Sequence, residues 1–377
     1  MNSTPRSESA VRPAPARRPV LAGLLLALGL TAALSACENH GKPFVPITPH
    51  GPDSTLVDGL EEGRWTAKKS PYYAMSPIRV LAGRRLIIDP GVSVVFTKPE
   101  YGMLIEGTLL AVGKPDSFIT FRPTFRSNTN PLPGQWGEIA FRNSAGSRIE
   151  FARLRYGKRG VRLDGSSLEL RGCYLSNNLL DGVQATRSSL TMTDCEMGSN
   201  GRHGIFLDGC EAPLYSVRLE HLNIGYNQGA GIWAASSSYL LRRSDIKNNG
   251  QEGTPLLNAG SSGLHFEGLA GLTPPTLRQC NLDANRPCDL RNIMGSGLMV
   301  QADSNYWGPT TTEELVIRSG GRKDRCNFNL RAVCDGLDSL STDVTTVNVC
   351  HWSDLFIPNF SGSGQAPAWH RLTPRAR

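Results

Sequence analysis

The chain has 377 residues, with 40 Lys and Arg against 33 Asp and Glu, and it is rich in glycine (40) and proline (25). Residues 1–37 hold four Arg and one Glu, so the remainder has 36 basic and 32 acidic residues, a balance of +4. This weak basicity, with no aromatic-basic motif, argues against a nucleic-acid partner. The composition fits one turn-rich β domain of about 300 residues rather than several cores.

The N-terminal segment predicts a lipoprotein signal peptide over residues 1–37. Arg17 and Arg18 precede an apolar run at 20–34, which is too short to span a bilayer as a mature helix. The segment ends in Leu34-Ser35-Ala36-Cys37, which resembles a bacterial lipobox. We therefore expect Cys37 to be lipidated and to anchor the protein to a membrane; the alternative is an ordinary signal peptide with a chance cysteine. Since Glu38 follows, where an inner-membrane retention signal usually has aspartate, we expect an outer-membrane lipoprotein, facing either the periplasm or the cell surface.

Four further segments follow the signal peptide. Residues 38–60 carry several prolines and predict a flexible tether. Residues 61–310 carry the strand patterns described below, residues 311–360 predict an irregular C-terminal cap, and residues 361–377 predict a disordered tail. We expect the protein to be a monomer.

Residues 147–300 contain an internal repeat. Five asparagines occupy the same place in it, each three residues after an apolar position and each followed by glycine and an aliphatic residue: Asn178, Asn200, Asn227, Asn249 and Asn285. They are 22, 27, 22 and 36 residues apart, so the basic unit has 22 residues and the longer steps carry insertions. A unit this short indicates a coil of a solenoid.

Within each coil the apolar residues alternate with polar ones, which is the period of a strand. Coils with two or three short strands describe an all-β parallel β-helix, whose stacked coils pair backbone to backbone. The asparagines then lie at coil corners, where we expect them to adopt the left-handed conformation that Asn tolerates. With coils roughly 4.8 Å apart, their amides should stack into a hydrogen-bonded ladder.

These residues resemble the right-handed parallel β-helix proteins of the pectin-lyase-like superfamily, bacterial secreted members above all. The resemblance covers residues 79–310 and rests on the coil pattern and on segments 86–92, 136–141 and 305–308. It is specific for the fold but weak for activity. The right hand of the helix follows from the resemblance and from the general crossover rule.

Eight cysteines besides Cys37 suit an oxidising compartment. Cys173, Cys195 and Cys280 fall in one inward column, where we favour buried thiols over a disulfide because the coil spacing exceeds the Cβ separation that a disulfide prefers. Disulfides are expected in the cap, with a pairing that the sequence leaves open. No spacing resembles a zinc site, and we expect no metal.

One outward column predicts an exposed aromatic stripe on three successive coils, formed by Phe206, Trp233 and His265. The next outward column carries Asp208 and Glu267. Aromatic rings stack on apolar sugar faces and carboxylates accept hydroxyl hydrogen bonds, so these five residues are candidates for binding a sugar chain. The alternative is a β-sheet surface that tolerates aromatics, or one covered by an insertion.

A second column, just before the repeated glycines, carries Arg159, Asp181 and His203. Three such groups on adjacent coils predict either an acid-base site or an exposed ion pair with a neighbouring histidine, and we favour the ion pair.

The resemblance also implies what an enzyme of this superfamily would need. Its pectate lyases use a calcium-binding carboxylate cluster with a basic proton acceptor, and its glycoside hydrolases use closely spaced aspartates, including an Asp-Asp pair, with Gly-His-Gly and Arg-x-Lys motifs. This sequence has none of these local motifs, and Arg202-His203-Gly204 is only a partial echo.

The sequence therefore predicts a non-catalytic scaffold that binds polysaccharide or another surface polymer and needs no cofactor. The alternatives are a polysaccharide lyase or glycoside hydrolase, with calcium only for a lyase, and a structural spacer or adhesin.

Overall fold

The computed structural model describes residues 54–124, 131–250, 262–268, 273, 275–294, 299–325, 328, 330–335, 347–355 and 357. Within these residues the chain is a right-handed parallel β-helix, so the predicted all-β solenoid is confirmed. The predicted signal peptide with Cys37, most of the predicted tether and the predicted tail at 361–377 lie outside the described residues. No helix among the described residues is both long and apolar enough to cross a membrane.

The strands, numbered in chain order, stack into three faces that run along the solenoid. Two long strands at its N-terminal end are not assigned to a single face: β1 (Thr55–Leu60) and β3 (Tyr72–Val80), which pairs with both β5 and β6. Face one consists of β2 (Gly63–Trp65), β4 (Arg85–Ile88), β7 (Thr108–Val112), β10 (Ser147–Glu150), β13 (Ser167–Arg171), β16 (Ser189–Thr193), β19 (Val217–Glu220), β22 (Leu240–Arg242), β25 (Thr276–Arg278), β28 (Val300–Gln301) and β30 (Val347–Asn348). Face two consists of β5 (Ser93–Phe96), β8 (Ile119–Pro123), β11 (Ala152–Arg155), β14 (Tyr174–Ser176), β17 (Glu196–Gly198), β20 (Asn223–Gly225), β23 (Asp245–Lys247) and β26 (Asn281–Asp283). Face three consists of β6 (Met103–Ile105), β9 (Ile139–Arg142), β12 (Val161–Asp164), β15 (Val183–Thr186), β18 (Ile205–Asp208), β21 (Ile232–Ala235), β24 (Leu264–Glu267), β27 (Leu290–Asn292) and β29 (Val333–Asp335).

All the pairings between these strands are parallel, and their register puts equivalent residues of successive coils side by side. Leu168 of β13 pairs with Leu190 of β16, which pairs with Val217 of β19. All three side chains are buried, whereas Glu169, which follows Leu168, is exposed. Each buried aliphatic side chain contributes about 1.5–3 kcal/mol through the hydrophobic effect, so the interior columns stabilise the stack of coils.

The asparagine ladder is confirmed. Each side-chain amide donates to the side-chain oxygen of the next: Asn178 to Asn200 at 3.0 Å, and Asn200 to Asn227, Asn227 to Asn249 and Asn249 to Asn285 at 2.9 Å. One detail of the prediction is wrong, because the positive φ angle belongs to the residue before each ladder asparagine. Those residues are Asn177, Ser199, Tyr226, Asn248 and Ala284. The turn therefore ends just before the asparagine, and the amide itself points along the stack.

The two ends of the solenoid differ from the predicted boundaries. Strand β1 falls within the predicted tether and pairs with β3, and strands β29 and β30 continue the stack beyond residue 310. A 3-10 helix, Ala67–Lys69, lies near the first coils. An α-helix, α1 (Gly308–Ser319), has Pro309 in its first turn, where proline is tolerated because a backbone N–H there would have no acceptor within the helix. The helix ends at Gly320, which has the left-handed φ of 64° common at helix C-termini.

The cysteines agree with the predicted stack of thiols. Cys173, Cys195 and Cys280 are free and buried, and so is Cys210. A disulfide joins Cys288 to Cys334 in β29, and Cys350 is also disulfide-bonded. Cys326 lies outside the described residues.

Candidate functional site

The predicted aromatic stripe lies on face three. Phe206 of β18 is the register neighbour of Trp233 of β21, which is the register neighbour of His265 of β24. The ring centroids of Phe206 and Trp233 are 6.3 Å apart, and those of Trp233 and His265 are 4.2 Å apart. The residues on either side of Phe206 in its strand are fully buried, so the stripe stands on a rigid core.

The exposure of the stripe is only partly as predicted. Phe206 and Trp233 are half-buried, with part of each ring in solvent, but His265 is 0% exposed. The expectation that His265 is exposed is therefore wrong. Its ring packs against the Trp233 indole in the outward column, and strand alternation does not reveal such packing between coils.

Glu267 links two residues of the stripe. One of its carboxylate oxygens accepts a hydrogen bond from Trp233 Nε1 at 2.8 Å. The other lies 3.4 Å from His265 Nε2, a contact without hydrogen-bond geometry, and both ring nitrogens of His265 are buried without a hydrogen-bond partner. Burial lowers the pKa of His265, against the opposing pull of Glu267, and so favours the neutral imidazole. Glu267 therefore fixes the indole rather than the imidazole.

Polar groups flank the exposed rings. The Arg202 guanidinium lies 5.0 Å from the centroid of the Phe206 ring, within cation–π range. Asp208 is exposed at the end of β18 and is separated from Glu267 by Ala235, which pairs with both. Apolar ring faces beside a free carboxylate and a guanidinium can bind a polyhydroxylated chain.

The column of Arg159, Asp181 and His203 is not the exposed ion pair that we favoured from the sequence. Asp181 is fully buried and accepts hydrogen bonds from Arg159 Nε at 3.3 Å and from Arg202 Nε and Nη2 at 2.8 and 2.6 Å. The backbone N–H of His203 also donates to it, at 3.2 Å. These donors occupy the carboxylate, so Asp181 is not placed to take a proton from a ligand.

His203 is also buried, and its ring lies against the aromatic stripe. Its Nδ1 accepts the backbone N–H of Ala230 at 2.9 Å, which assigns the proton of the neutral ring to Nε2. Burial lowers the pKa of His203 to about 3, with the Asp181 charge opposing it. The ring centroid is 4.8 Å from that of Trp233 and 5.9 Å from that of Phe206. A ring that is neutral and already accepts a backbone hydrogen bond supports the stripe rather than acid-base chemistry.

Two residues of this region were missed from the sequence. Glu138 accepts hydrogen bonds from Arg159 Nη1 at 3.1 Å and Arg162 Nε at 2.6 Å, and Arg202 grips Asp181 with two nitrogens. Arg202 lies two residues after the ladder asparagine Asn200, so the repeat could have predicted its position in the coil. The repeat could not have predicted that its side chain reaches back to Asp181.

The fold defines a right-handed parallel β-helix protein. Residues 101–266, fewer than half of the chain, match the family described as "Periplasmic copper-binding protein (NosD)". A 64-residue stretch, 17% of the chain, is 44% identical to "Protein bark beetle" of Drosophila melanogaster, and the match spans 2% of that protein's length.

Solved structures similar to the chain include crystal structures of the periplasmic alginate epimerase AlgG. A single-site mutant of AlgG is 13% identical, with 74% of this chain and 77% of that chain covered and a TM-score of 0.31. A double mutant of the same epimerase is 11% identical, with 81% and 79% covered and a TM-score of 0.33. At these scores the likeness carries no argument about activity.

Proposed function

We propose that the protein is a cell-envelope scaffold that binds a polysaccharide or another surface polymer without catalysis. The observation that carries this proposal is the pair of half-buried rings, Phe206 and Trp233, on adjacent coils of a rigid sheet. Carbohydrate faces stack on such rings, and the neighbouring Asp208 and Arg202 offer an acceptor and donors for hydroxyl groups. Because the rings repeat at the coil spacing, they suit an extended chain better than a small compact ligand.

The location and anchoring belong to the same proposal. The word "periplasmic" in the NosD family's description supports a cell-envelope location. The lipobox-like segment ending at Cys37 supports a lipid anchor in the outer membrane. An anchored solenoid would hold its polymer-binding face at a fixed place in the envelope.

Copper binding, which the NosD family's description names, is not carried over to this chain. Among the described residues, one group of three potential ligands lies close enough for a metal ion: Asp303, Cys350 and His351. Cys350 is disulfide-bonded, which leaves two ligands, and both lie outside the matched residues 101–266. Protein copper sites usually have three or more ligands, so two ligands do not form one.

The state of the two candidate acid-base residues, Asp181 and His203, does not favour a catalytic role. Asp181 is saturated with hydrogen bonds, and His203 is neutral and already accepts a backbone N–H. The structural spacer remains the alternative that an experiment must separate from a binding scaffold.

The experiment measures binding and turnover together, with the full chain and a panel of neutral and acidic polysaccharides, with and without calcium. Affinity electrophoresis reports retention, and reducing ends and unsaturated-product absorbance report cleavage. We expect retention on at least one polymer without cleavage, and a loss of about tenfold or more in affinity in the Phe206→Ala, Trp233→Ala variant, which removes about 1.4 kcal/mol or more of binding energy. Tyr73→Ala, which removes a half-buried ring from β3, is the matched control and should bind normally.

Two results would overturn the proposal. Cleavage by the wild type would establish an enzyme. Absence of retention, or equal retention by the wild type and the double variant, would leave a spacer or move the binding surface away from face three.

A further inference from the structure

A cavity on face two is bordered by three arginines. It has a volume of about 380 Å³ and is lined by Thr120, Phe121, Arg122, Pro131, Arg153, Arg155 and Tyr156. The arginines come from neighbouring coils, since Thr120 and Phe121 of β8 pair with Arg153 and Leu154 of β11. Among the described residues that line it there is no Asp or Glu, so the three arginines make this lining positively charged. Its volume lies within the range of about 300–1,000 Å³ typical of small-ligand pockets.

Arg155 is the residue that most needs a ligand. Its Nε is buried and has no hydrogen-bond partner, and burial lowers the pKa of its guanidinium. Within the part of the chain that the structure describes, neither Arg153 nor Arg155 forms an ion pair. Arg162 in β12, and Arg159 and Arg202 in the turns just before β12 and β18, all form one. A buried donor without an acceptor costs free energy, so its persistence is a reason to look for an external acceptor.

The other two arginines are held in place around the cavity. Arg122 donates from Nε to Ser93 Oγ and from Nη1 to the Pro123 carbonyl, both at 3.2 Å. The Arg153 guanidinium stacks over the Phe118 ring at 4.4 Å and remains exposed. These contacts orient the planar groups before any ligand arrives, which reduces the entropy lost on binding.

The carboxyl group of Glu196 acts electrostatically on Arg155 and favours its charged form. Burial raises the pKa of Glu196 to about 7, and the attraction of Arg155 offsets this only in part. Glu196 is therefore only partly charged at neutral pH, and it is a single carboxyl group beside the two guanidinium groups of Arg153 and Arg155.

We infer that this cavity binds a carboxylate, borne by an acidic sugar unit, through the guanidinium groups of Arg153 and Arg155. Guanidinium pairs with carboxylate through two parallel hydrogen bonds, and Pro131 and the Tyr156 ring offer apolar surface to the rest of the sugar. The site lies on face two and the Phe206–Trp233 pair lies on face three, so the two sites are independent. The inference specifies that the bound polymer is acidic, whereas the aromatic pair could bind a neutral or an acidic sugar chain.

Isothermal titration calorimetry of the full chain with a short oligogalacturonate tests this inference. The fully methyl-esterified oligomer has the same backbone without the charges and serves as the ligand control, and the galacturonate monomer and inorganic sulfate separate a sugar site from a general oxyanion site. We expect the free acid to bind at least about tenfold more tightly than the ester and than sulfate.

Three variants assign the binding to the cavity. Arg153→Gln and Arg155→Gln should each weaken binding by about tenfold or more, and Arg155→Lys, which keeps the charge but not the planar fork, should not restore it fully. Arg148→Gln, which removes a half-exposed arginine paired with Glu169 on face one, should bind like the wild type. Arg153 is exposed, so Arg153→Gln tests the inference even if Arg155→Gln misfolds, and circular dichroism checks each fold.

The inference fails if the wild type does not bind the acid, if acid and ester bind equally, or if Arg148→Gln weakens binding as much as Arg153→Gln. The Phe206→Ala, Trp233→Ala variant distinguishes this failure from that of the proposed function. If that variant alone loses the acidic oligomer, the ligand lies on face three; the proposed function then stands and the cavity does not bind it.

Discussion

At the scale of single residues, the asparagine ladder uses both ends of each amide and ends on a carboxylate. Asn285 donates its Nδ2 and its backbone N–H to Asp289 Oδ1, at 2.8 and 3.1 Å. Asp289 is buried, and burial raises the pKa of its carboxyl to about 7 although the bonds from Asn285 oppose this shift. The last step of the ladder is therefore a group that titrates near neutral pH.

Asp289 should make the stability of the protein depend on pH. The folded protein holds this proton up to about pH 7, whereas an unfolded aspartate loses it near 3.8, so the folded state binds more protons between these values. Its contribution to stability is fully present below the unfolded pKa and is lost as pH rises through the folded pKa. We expect the wild type to lose up to about 1.4 kcal/mol per pH unit over this window relative to Asp289→Asn, whose amide does not titrate.

Denaturant unfolding of both proteins between about pH 4 and 8 measures this difference. Glu196, whose pKa is also raised to about 7, is present in both and cancels in the comparison. Parallel curves for the two proteins across this window would show that Asp289 does not titrate in this way.

At the scale of a coil, the repeated glycine is required by how closely coils stack. A Cβ on Gly204 would lie 2.6 Å from the carbonyl oxygen of Gly231 in the next coil and 2.7 Å from Ile224 Cγ2. The same clash recurs at Gly182, against Gly204, at 2.7 Å. None of these three glycines has a positive φ angle, so the requirement is one of space between coils and not of backbone conformation.

Gly204→Ala should destabilise the protein by about 3 kcal/mol, because backbone atoms cannot move aside as a flexible side chain would. Gly146→Ala is a useful contrast, since its Cβ would meet nothing within 4 Å and only its φ of 70° would be strained, at about 1 kcal/mol. The difference in the free energy of unfolding between the two variants checks the argument. Equal losses would mean that the coils move apart easily at Gly204.

The coil is also the scale at which sequence reasoning succeeds most. Repeat length and strand alternation set the register, so the neighbours Phe206, Trp233 and His265 were predictable. The burial of these residues was not predictable, because it depends on how side chains of adjacent coils pack. The Trp233 ring, for example, covers His265. The grip of Arg202 on Asp181 was missed for the same reason: it depends on the reach of a long side chain between coils.

At the scale of the whole solenoid, the faces carry different chemistry on a shared core. Face three carries the aromatic pair Phe206 and Trp233, while face two carries the cavity of Arg153 and Arg155. The sequence predicted the first because aromatics stand out in an aligned column. It did not predict the second, because the property that matters is the buried Nε of Arg155, which lacks a hydrogen-bond partner, and only the side-chain arrangement reveals that.

The C-terminal end of the solenoid is held by a covalent link that the sequence left open. The disulfide Cys288–Cys334 joins the residues before β27 to β29, its neighbour on face three. In a solenoid each coil contacts mainly its neighbours, so stability is nearly a sum of local terms and an end opens more easily than the middle. A disulfide at the end of the solenoid should therefore stabilise mainly the coils next to it.

We expect the Cys288→Ser, Cys334→Ser variant to lose hydrogen-exchange protection in β24, β27 and β29 while β12, β15 and β18 keep theirs. The link closes a loop of 46 residues, which corresponds to at most about 4 kcal/mol of local opening free energy. Cys210→Ser, which changes a buried free thiol in the middle of the stack, controls for the substitution itself and should leave the C-terminal strands protected. If the double variant instead loses protection evenly along the stack, the coils unfold as one cooperative unit, and the link stabilises the whole solenoid rather than its end.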